Sequence, residues 1–70
     1  MPRILVVEDE STIADAVLYA LQADGMQAGH CLLGREALRQ LRAEPWDVLI
    51  LDVGLPDMTG FELCRELRGF

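Results

Sequence analysis

Acidic side chains follow two separate apolar runs of this 70-residue chain, and they are the groups best suited to chemistry. Glu8 and Asp9 come directly after the run at residues 4–7, and Asp52 comes directly after the run at residues 48–51. Two buried strands that each end in carboxylates predict one acidic pocket at the edge of a parallel sheet. Such a pocket can bind a divalent cation and present one carboxylate as a nucleophile.

Three carboxylates in one pocket repel one another, so one of them must take up a proton or a cation must bind. A hard cation with oxygen ligands fits such a pocket best, and we expect Mg²⁺. Its charge would shield an incoming phosphoryl group from the attacking carboxylate, and an aspartate can then form an aspartyl-phosphate. The alternative is that the acids merely solvate the ends of their strands.

The apolar periodicity predicts three strands that alternate with three helices. Strands are expected over residues 3–7, 26–32 and 46–51. Helices are expected over residues 11–24, 34–43 and 59–69. Alternation with short connections predicts a doubly wound parallel α/β sheet. In a flavodoxin-like sheet of order 2-1-3, the first and third strands are neighbours, and ligands bind beyond their carboxyl ends. Glu8, Asp9 and Asp52 would meet at that point.

The ends of two helices carry recognisable signals. Ser11 or Thr12 is expected to cap the first helix, and Gly25 to end it in a left-handed conformation. Thr59 and Glu62 match a capping box at the start of the third helix. The apolar positions expected on one face of that helix are Phe61, Cys64 and Leu67.

Composition describes a small globular domain that does not itself bind nucleic acid. Hydrophobic residues make up 51% of the chain and charged residues 26%, which is typical of a folded protein. The net charge of -6 disfavours contacts with nucleic-acid phosphates. No apolar stretch approaches the roughly 18–20 residues of a membrane span, and the first apolar run is too short for a signal peptide. We therefore expect a cytoplasmic protein that does not contact a membrane.

Other reactive residue types are interpreted as structural. Cys31 and Cys64 lack the spacing of a metal or redox motif, and we expect two small buried thiols in a reducing compartment. His30 is the single histidine, and we interpret it and Trp46 as structural residues. Asp57 is interpreted as a turn residue rather than a ligand.

The segments around the acids resemble the receiver domain of two-component response regulators. The resemblance rests on VVEDE at residues 6–10, LILDVGLP at 49–56 and TGFE at 59–62, and it covers essentially the whole chain. It implies a CheY-like form of the flavodoxin-like sheet. Within the family, residues 55–67 are most similar to the carbon-source-responsive regulators of the winged-helix, DNA-binding class.

The resemblance implies a role for each acid. Asp52 would be the phosphoacceptor and a metal ligand, Asp9 a direct Mg²⁺ ligand, and Glu8 a direct or water-mediated one. The backbone carbonyl of Gly54 would be a further ligand, whatever the side chain there. A sensor histidine kinase would be the phosphodonor. The chain would not be an enzyme beyond self-phosphorylation from small acyl phosphates and autodephosphorylation.

The resemblance also implies that residues 1–70 are the N-terminal part of a receiver. The family's fold continues through a fourth strand, which ends in a Ser or Thr, and a fifth, which ends in a Lys; this chain has no lysine. An output domain would likewise be absent, so binding to DNA and regulation of transcription would belong to the intact protein.

Two other functions remain open from the sequence. A receiver fragment without phosphoacceptor activity would be an assembly unit, because the outer edge of the third strand and apolar helix faces would be uncovered. A homodimer is then expected, in particular a swapped dimer whose copies complete each other's sheets. A phosphohydrolase is disfavoured, because one large class carries a second Asp two residues after the nucleophile, where this chain has Gly54.

Overall fold

The computed structural model describes residues 2–68 and contains all six predicted elements. The strands are β1 (Arg3–Val7), β2 (Gln27–Cys31) and β3 (Val48–Leu51). The helices are α1 (Ser11–Ala23), α2 (Gly34–Ala43) and α3 (Gly60–Arg68). The bounds of β1 and α2 match the prediction, whereas β2 and β3 are shorter than predicted. The predicted end of α3 at Gly69 lies outside the described residues.

The sheet is parallel and has β1 at its centre. The strand order is β2-β1-β3, which confirms the predicted order. Val7 pairs with Cys31 on one side and with Leu51 on the other, so the three strands end at the same edge. A central strand in a sheet with helices on both faces must be apolar throughout, and residues 4–7 are accordingly buried.

The helices cover both faces of the sheet. Side chains alternate along a strand, so Leu5 and Val7 of β1 point to one face and Ile4 and Val6 to the other. Leu5 and Val7 belong to a cluster with buried residues of α2 and α3, whereas α1 packs against β1 and β2 from the opposite face. Among the helices of residues 2–68, none is long and apolar enough to cross a membrane.

The helix starts differ in how they are capped. The capping box of α3 is confirmed: the Glu62 N–H donates to Thr59 Oγ1 at 3.1 Å, and the Thr59 N–H donates to Glu62 Oε1 at 3.0 Å. The predicted cap of α1 by Ser11 or Thr12 is wrong, because the N-cap is Glu10 and its side chain makes no capping bond. The connection from β1 spans only residues 8–10, so the helix already begins at position 11.

The C-terminal end of α1 agrees with the prediction. Gly25 has a φ of 80°, the left-handed conformation that glycine adopts without steric cost. Its N–H donates to the carbonyl of Gln22 at 3.0 Å, which satisfies an acceptor in the last turn of the helix.

The predicted apolar face of α3 is not the face that packs on the core. Leu63 is fully buried, whereas Phe61 is 75% exposed. Gly60 sets this orientation, because its N–H donates to the Val53 carbonyl at 2.9 Å and a Cβ there would lie 3.2 Å from Val53 Cα. The backbone of α3 therefore approaches the end of β3 closely, and position 63 follows position 60 into the core.

Arg3 joins the start of β1 to the connection between α2 and β3. Its N–H donates to Asp47 Oδ2 at 2.7 Å, and its guanidinium donates to the carbonyl of Pro45 and to Glu44 Oε1. The guanidinium also lies 4.4 Å from the centroid of the Trp46 ring. Trp46 therefore packs as a structural residue, at the edge of the sheet opposite the acids.

The two cysteines are free thiols in different surroundings. Cys31 ends β2 within the core, and burial raises the pKa of its thiol to about 11, so it stays protonated near neutral pH. Cys64 is half-buried. The prediction of buried thiols is therefore confirmed for Cys31 and wrong for Cys64.

Leu63→Ala should destabilise the fold by about 2–5 kcal/mol, because it removes a fully buried side chain from the core. Phe61→Ala should change the free energy of unfolding by no more than about 0.5 kcal/mol, because that ring is exposed. Urea unfolding followed by circular dichroism measures both values. Equal losses in the two variants would contradict the orientation of α3.

Candidate functional site

The three acids meet at the carboxyl edge of the sheet. Asp52 follows β3, and its N–H donates to the Val7 carbonyl at 3.0 Å. Glu8 follows β1, and its N–H donates to the Cys31 carbonyl at 3.1 Å. One carboxylate oxygen from each of Glu8, Asp9 and Asp52 lies within 4.8 Å of the others. The structure thus brings together the three side chains that the sequence placed at one site.

Hydrogen bonds divide the charge unequally between two of the acids. The Gly54 N–H donates to Asp52 Oδ1 at 3.2 Å, and this bond is the main reason why the pKa of Asp52 lies below its usual value. The Glu10 N–H donates to Glu8 Oε2 at 3.1 Å and by itself lowers the pKa of Glu8. Burial and the neighbouring Asp52 carboxylate outweigh that bond, so the pKa of Glu8 is raised. As the pH falls, Glu8 therefore takes up a proton before Asp52 does.

The donor set suits a small, hard divalent cation. All three side chains offer carboxylate oxygens, and they lie at the mouth of the sheet, exposed or half-buried. Mg²⁺ binds oxygens at about 2.0–2.1 Å, so two of its ligands are at most about 4.2 Å apart. Adjacent ligands of an octahedral Mg²⁺ are about 3 Å apart, so carboxylate oxygens at the 4.8 Å limit would move together by up to about 2 Å to share such an ion.

Gly54 takes part through its backbone. A Cβ at this position would meet no atom of the described residues within 4 Å, and its φ is not positive. Neither space nor conformation therefore requires glycine here. This agrees with a role for main-chain atoms, and the assignment of its carbonyl as a ligand stays a prediction.

His30 lies beside the acids, a position that was not predicted from the sequence. Its Nε2 is 2.8 Å from the carbonyl oxygen of Glu8. A carbonyl only accepts, so Nε2 is the donor. His30 is half-buried in β2 and reaches across to the loop that carries Glu8 and Asp9.

Asp57 is more than a turn residue. Its carboxylate accepts the N–H of Gly34 at 2.8 Å and the N–H of Arg35 at 3.0 Å, and these two bonds lower its pKa. Leu33, the N-cap of α2, makes no side-chain capping bond, so Asp57 satisfies donors of the first turn from a distant loop. The loop that follows Asp52 is thereby attached to α2.

Comparison with known proteins identifies a family. A family model described as the response regulator receiver domain matches residues 4–70. The chain is 48% identical over 64 residues to the transcriptional regulatory protein CreB of Escherichia coli K12, covering 91% of this chain and 28% of CreB. It is 44% identical over 68 residues to the phosphate regulon transcriptional regulatory protein PhoB of Rhizobium meliloti, covering 97% of this chain and 30% of PhoB. The chain thus spans less than a third of the length of either relative.

Solved structures agree with this match. The response regulator TrrA of Thermotoga maritima, in complex with Mg²⁺-BeF, superposes with a TM-score of 0.92 at 36% identity. The match covers 99% of this chain and 60% of TrrA. TrrA in complex with the histidine kinase ThkA superposes with a TM-score of 0.91. The fold and the sequence therefore point to the same family.

Asp57→Asn should lower the melting temperature at neutral pH, because the first turn of α2 loses a charged acceptor. Folding lowers the pKa of Asp57 below 3.8, so its contribution is present above that pH and is lost as the pH falls through the folded value. The difference from the unaltered chain should therefore shrink at acid pH.

Melting curves between neutral and acid pH test this expectation. Asp15→Asn, at an exposed position of α1, is the matched control for loss of one negative charge. The assignment of Asp57 as the cap of α2 would be wrong if both variants melted at the same temperature at neutral pH.

Proposed function

This chain belongs to the response regulator receiver domain family, and on that premise we propose that Asp52 accepts a phosphoryl group in a two-component phosphorelay. The observation that carries the proposal is the convergence of Glu8, Asp9 and Asp52 within 4.8 Å at the carboxyl edge of the sheet. Asp52 is suited to be the acceptor, because the Gly54 N–H lowers its pKa and keeps the carboxylate ionised.

We propose Mg²⁺ as the cation of this site. Asp9 and Asp52 would bind it directly, Glu8 directly or through a water molecule, and Gly54 through its backbone carbonyl. The oxygen donors and their spacing support this choice, and TrrA, which has the same fold, was solved with Mg²⁺-BeF. Bound Mg²⁺ offsets the negative charge that the carboxylates and a phosphoryl group bring together.

The reaction is a displacement at phosphorus by a carboxylate oxygen of Asp52. A new O–P bond forms while the donor's P–N bond, in a phosphohistidine, or P–O bond, in an acyl phosphate, breaks and the donor leaves with the electron pair. A sensor histidine kinase is the proposed donor, which the TrrA–ThkA complex supports. We propose no enzymatic activity beyond self-phosphorylation from small acyl phosphates and autodephosphorylation.

The proposed response to phosphorylation, regulation of transcription, is assigned to a longer protein of which this chain is one part. The chain covers 60% of TrrA and 28% of CreB, which supports the proposal that it is one part of a receiver domain. Because CreB and PhoB are transcriptional regulators by name, we propose that the intact cytoplasmic protein regulates transcription through a DNA-binding domain. The narrower assignment to the carbon-source-responsive class stays a prediction.

Assembly without phosphoacceptor activity is the less favoured function, because the family match covers the acidic site itself. Pairing of two chains, by simple contact or by a swap, stays a prediction. The feature that would take part is the outer strand β3, where Val48 is 47% and Ile50 is 38% exposed.

Intact mass spectrometry after incubation with acetyl phosphate and Mg²⁺ tests the proposed function. We expect an adduct of a single phosphoryl group. The adduct should be absent when EDTA is added and absent in Asp52→Asn. The control Asp15→Asn, at an exposed position of α1, should still form it. An adduct of equal yield in Asp52→Asn would overturn the assignment of the acceptor. A chain that is folded by circular dichroism but forms no adduct would overturn the phosphoacceptor function and favour assembly.

A further inference from the structure

We propose that His30 is a positioning residue for the acidic site, which it serves by fixing the peptide group between Glu8 and Asp9. The inference rests on the proposed function and adds a residue outside the carboxylate set to that site. His30 Nε2 donates a hydrogen bond of 2.8 Å to the carbonyl oxygen of Glu8, and the proposed role depends on this contact.

The His30 side chain supplies a hydrogen bond to the Glu8 carbonyl where the pairing of β1 with β2 supplies none. The parallel ladder continues as far as the Glu8 N–H, which donates to the Cys31 carbonyl at 3.1 Å. β2 ends at Cys31, so regular pairing stops before it reaches the Glu8 carbonyl. His30 lies in register with Val6, near the end of β2, and its imidazole donates to that carbonyl instead.

A hydrogen bond to the Glu8 carbonyl restrains the backbone on both sides of that peptide group. A peptide group is planar, so the direction of the Glu8 carbonyl also fixes the N–H and the Cα of Asp9. The Glu8 side chain is held separately, because its Oε2 accepts the Glu10 N–H at 3.1 Å. His30 thereby restrains the backbone from which both proposed ligands of the β1–α1 loop project.

The restraint should matter most for binding of a cation. The carboxylates repel one another, so a loosely held loop would let Asp9 and Glu8 move away from Asp52. A residue that orients metal ligands typically changes metal affinity by about 10–100-fold when it is lost. Because His30 acts through the backbone, we expect the low end of that range, a rise of about tenfold in the Kd for Mg²⁺.

Two variants separate the hydrogen bond from the space that the ring fills. His30→Phe keeps an aromatic ring but has no donor, whereas His30→Gln places an amide N–H at a similar distance from the backbone. Arg3→Gln is the control for general loss of stability, because Arg3 holds the opposite edge of the sheet. Isothermal titration with Mg²⁺ gives each Kd, and melting temperatures without Mg²⁺ report the stability of each fold.

We expect His30→Phe to bind Mg²⁺ about tenfold more weakly, and His30→Gln and Arg3→Gln to stay within about threefold of the unaltered chain. The two-bond ¹H–¹⁵N spectrum of the unaltered chain should place a hydrogen on Nε2 of His30. Equal affinities in His30→Phe and the unaltered chain, or equally weak binding in His30→Phe and His30→Gln, would overturn the positioning role and leave the proposed function intact. An unaltered chain that binds no Mg²⁺ would overturn both.

Discussion

Parallel pairing of β1 with β3 brings like charges together, and the rest of the acidic site depends on this constraint. The register that joins Val7 to Leu51 also places Asp52 beside Glu8 and Asp9, so three carboxylates share one edge of the sheet. The carboxylates stay together despite their repulsion, because the strands that carry them are paired in the buried sheet and because backbone N–H groups donate to Asp52 and Glu8. Such a site is poised for a cation and for the phosphoryl group that we propose as its substrate.

The loops that carry the acids are held by side chains that reach the backbone of another element. His30 of β2 donates to the loop after β1, and Asp57 in the loop after β3 accepts two N–H groups of α2. Gly60 brings α3 against the same loop. The acidic site is thus supported from both sides of the sheet, while Arg3 ties together the opposite edge.

The sequence was sufficient for the elements, because apolar runs and helix spacing are local and their alternation predicts a parallel sheet. The order 2-1-3, and with it the meeting of the acids, was predicted from the flavodoxin-like form that the family resemblance implies. The sequence was insufficient where a contact between segments that are distant in the sequence determines which side chain is buried or which group caps a helix. The face of α3 depends on the approach of Gly60 to Val53, so Leu63 rather than Phe61 is buried. The capping of α2 by Asp57 could not be predicted from the residues around Leu33, because Asp57 lies 23 positions after Gly34, whose N–H it accepts.

The position of the phosphoryl group along the chain shows whether Asp52 is the acceptor. Borohydride reduces the acyl phosphate of an aspartate to homoserine, and peptide mass spectrometry then identifies the altered position. After treatment with acetyl phosphate and Mg²⁺, we expect homoserine at position 52 and unaltered side chains at Glu8 and Asp9. Conversion at Asp9 or Glu8 instead, with Asp52 unchanged, would contradict the assignment of Asp52 as the acceptor.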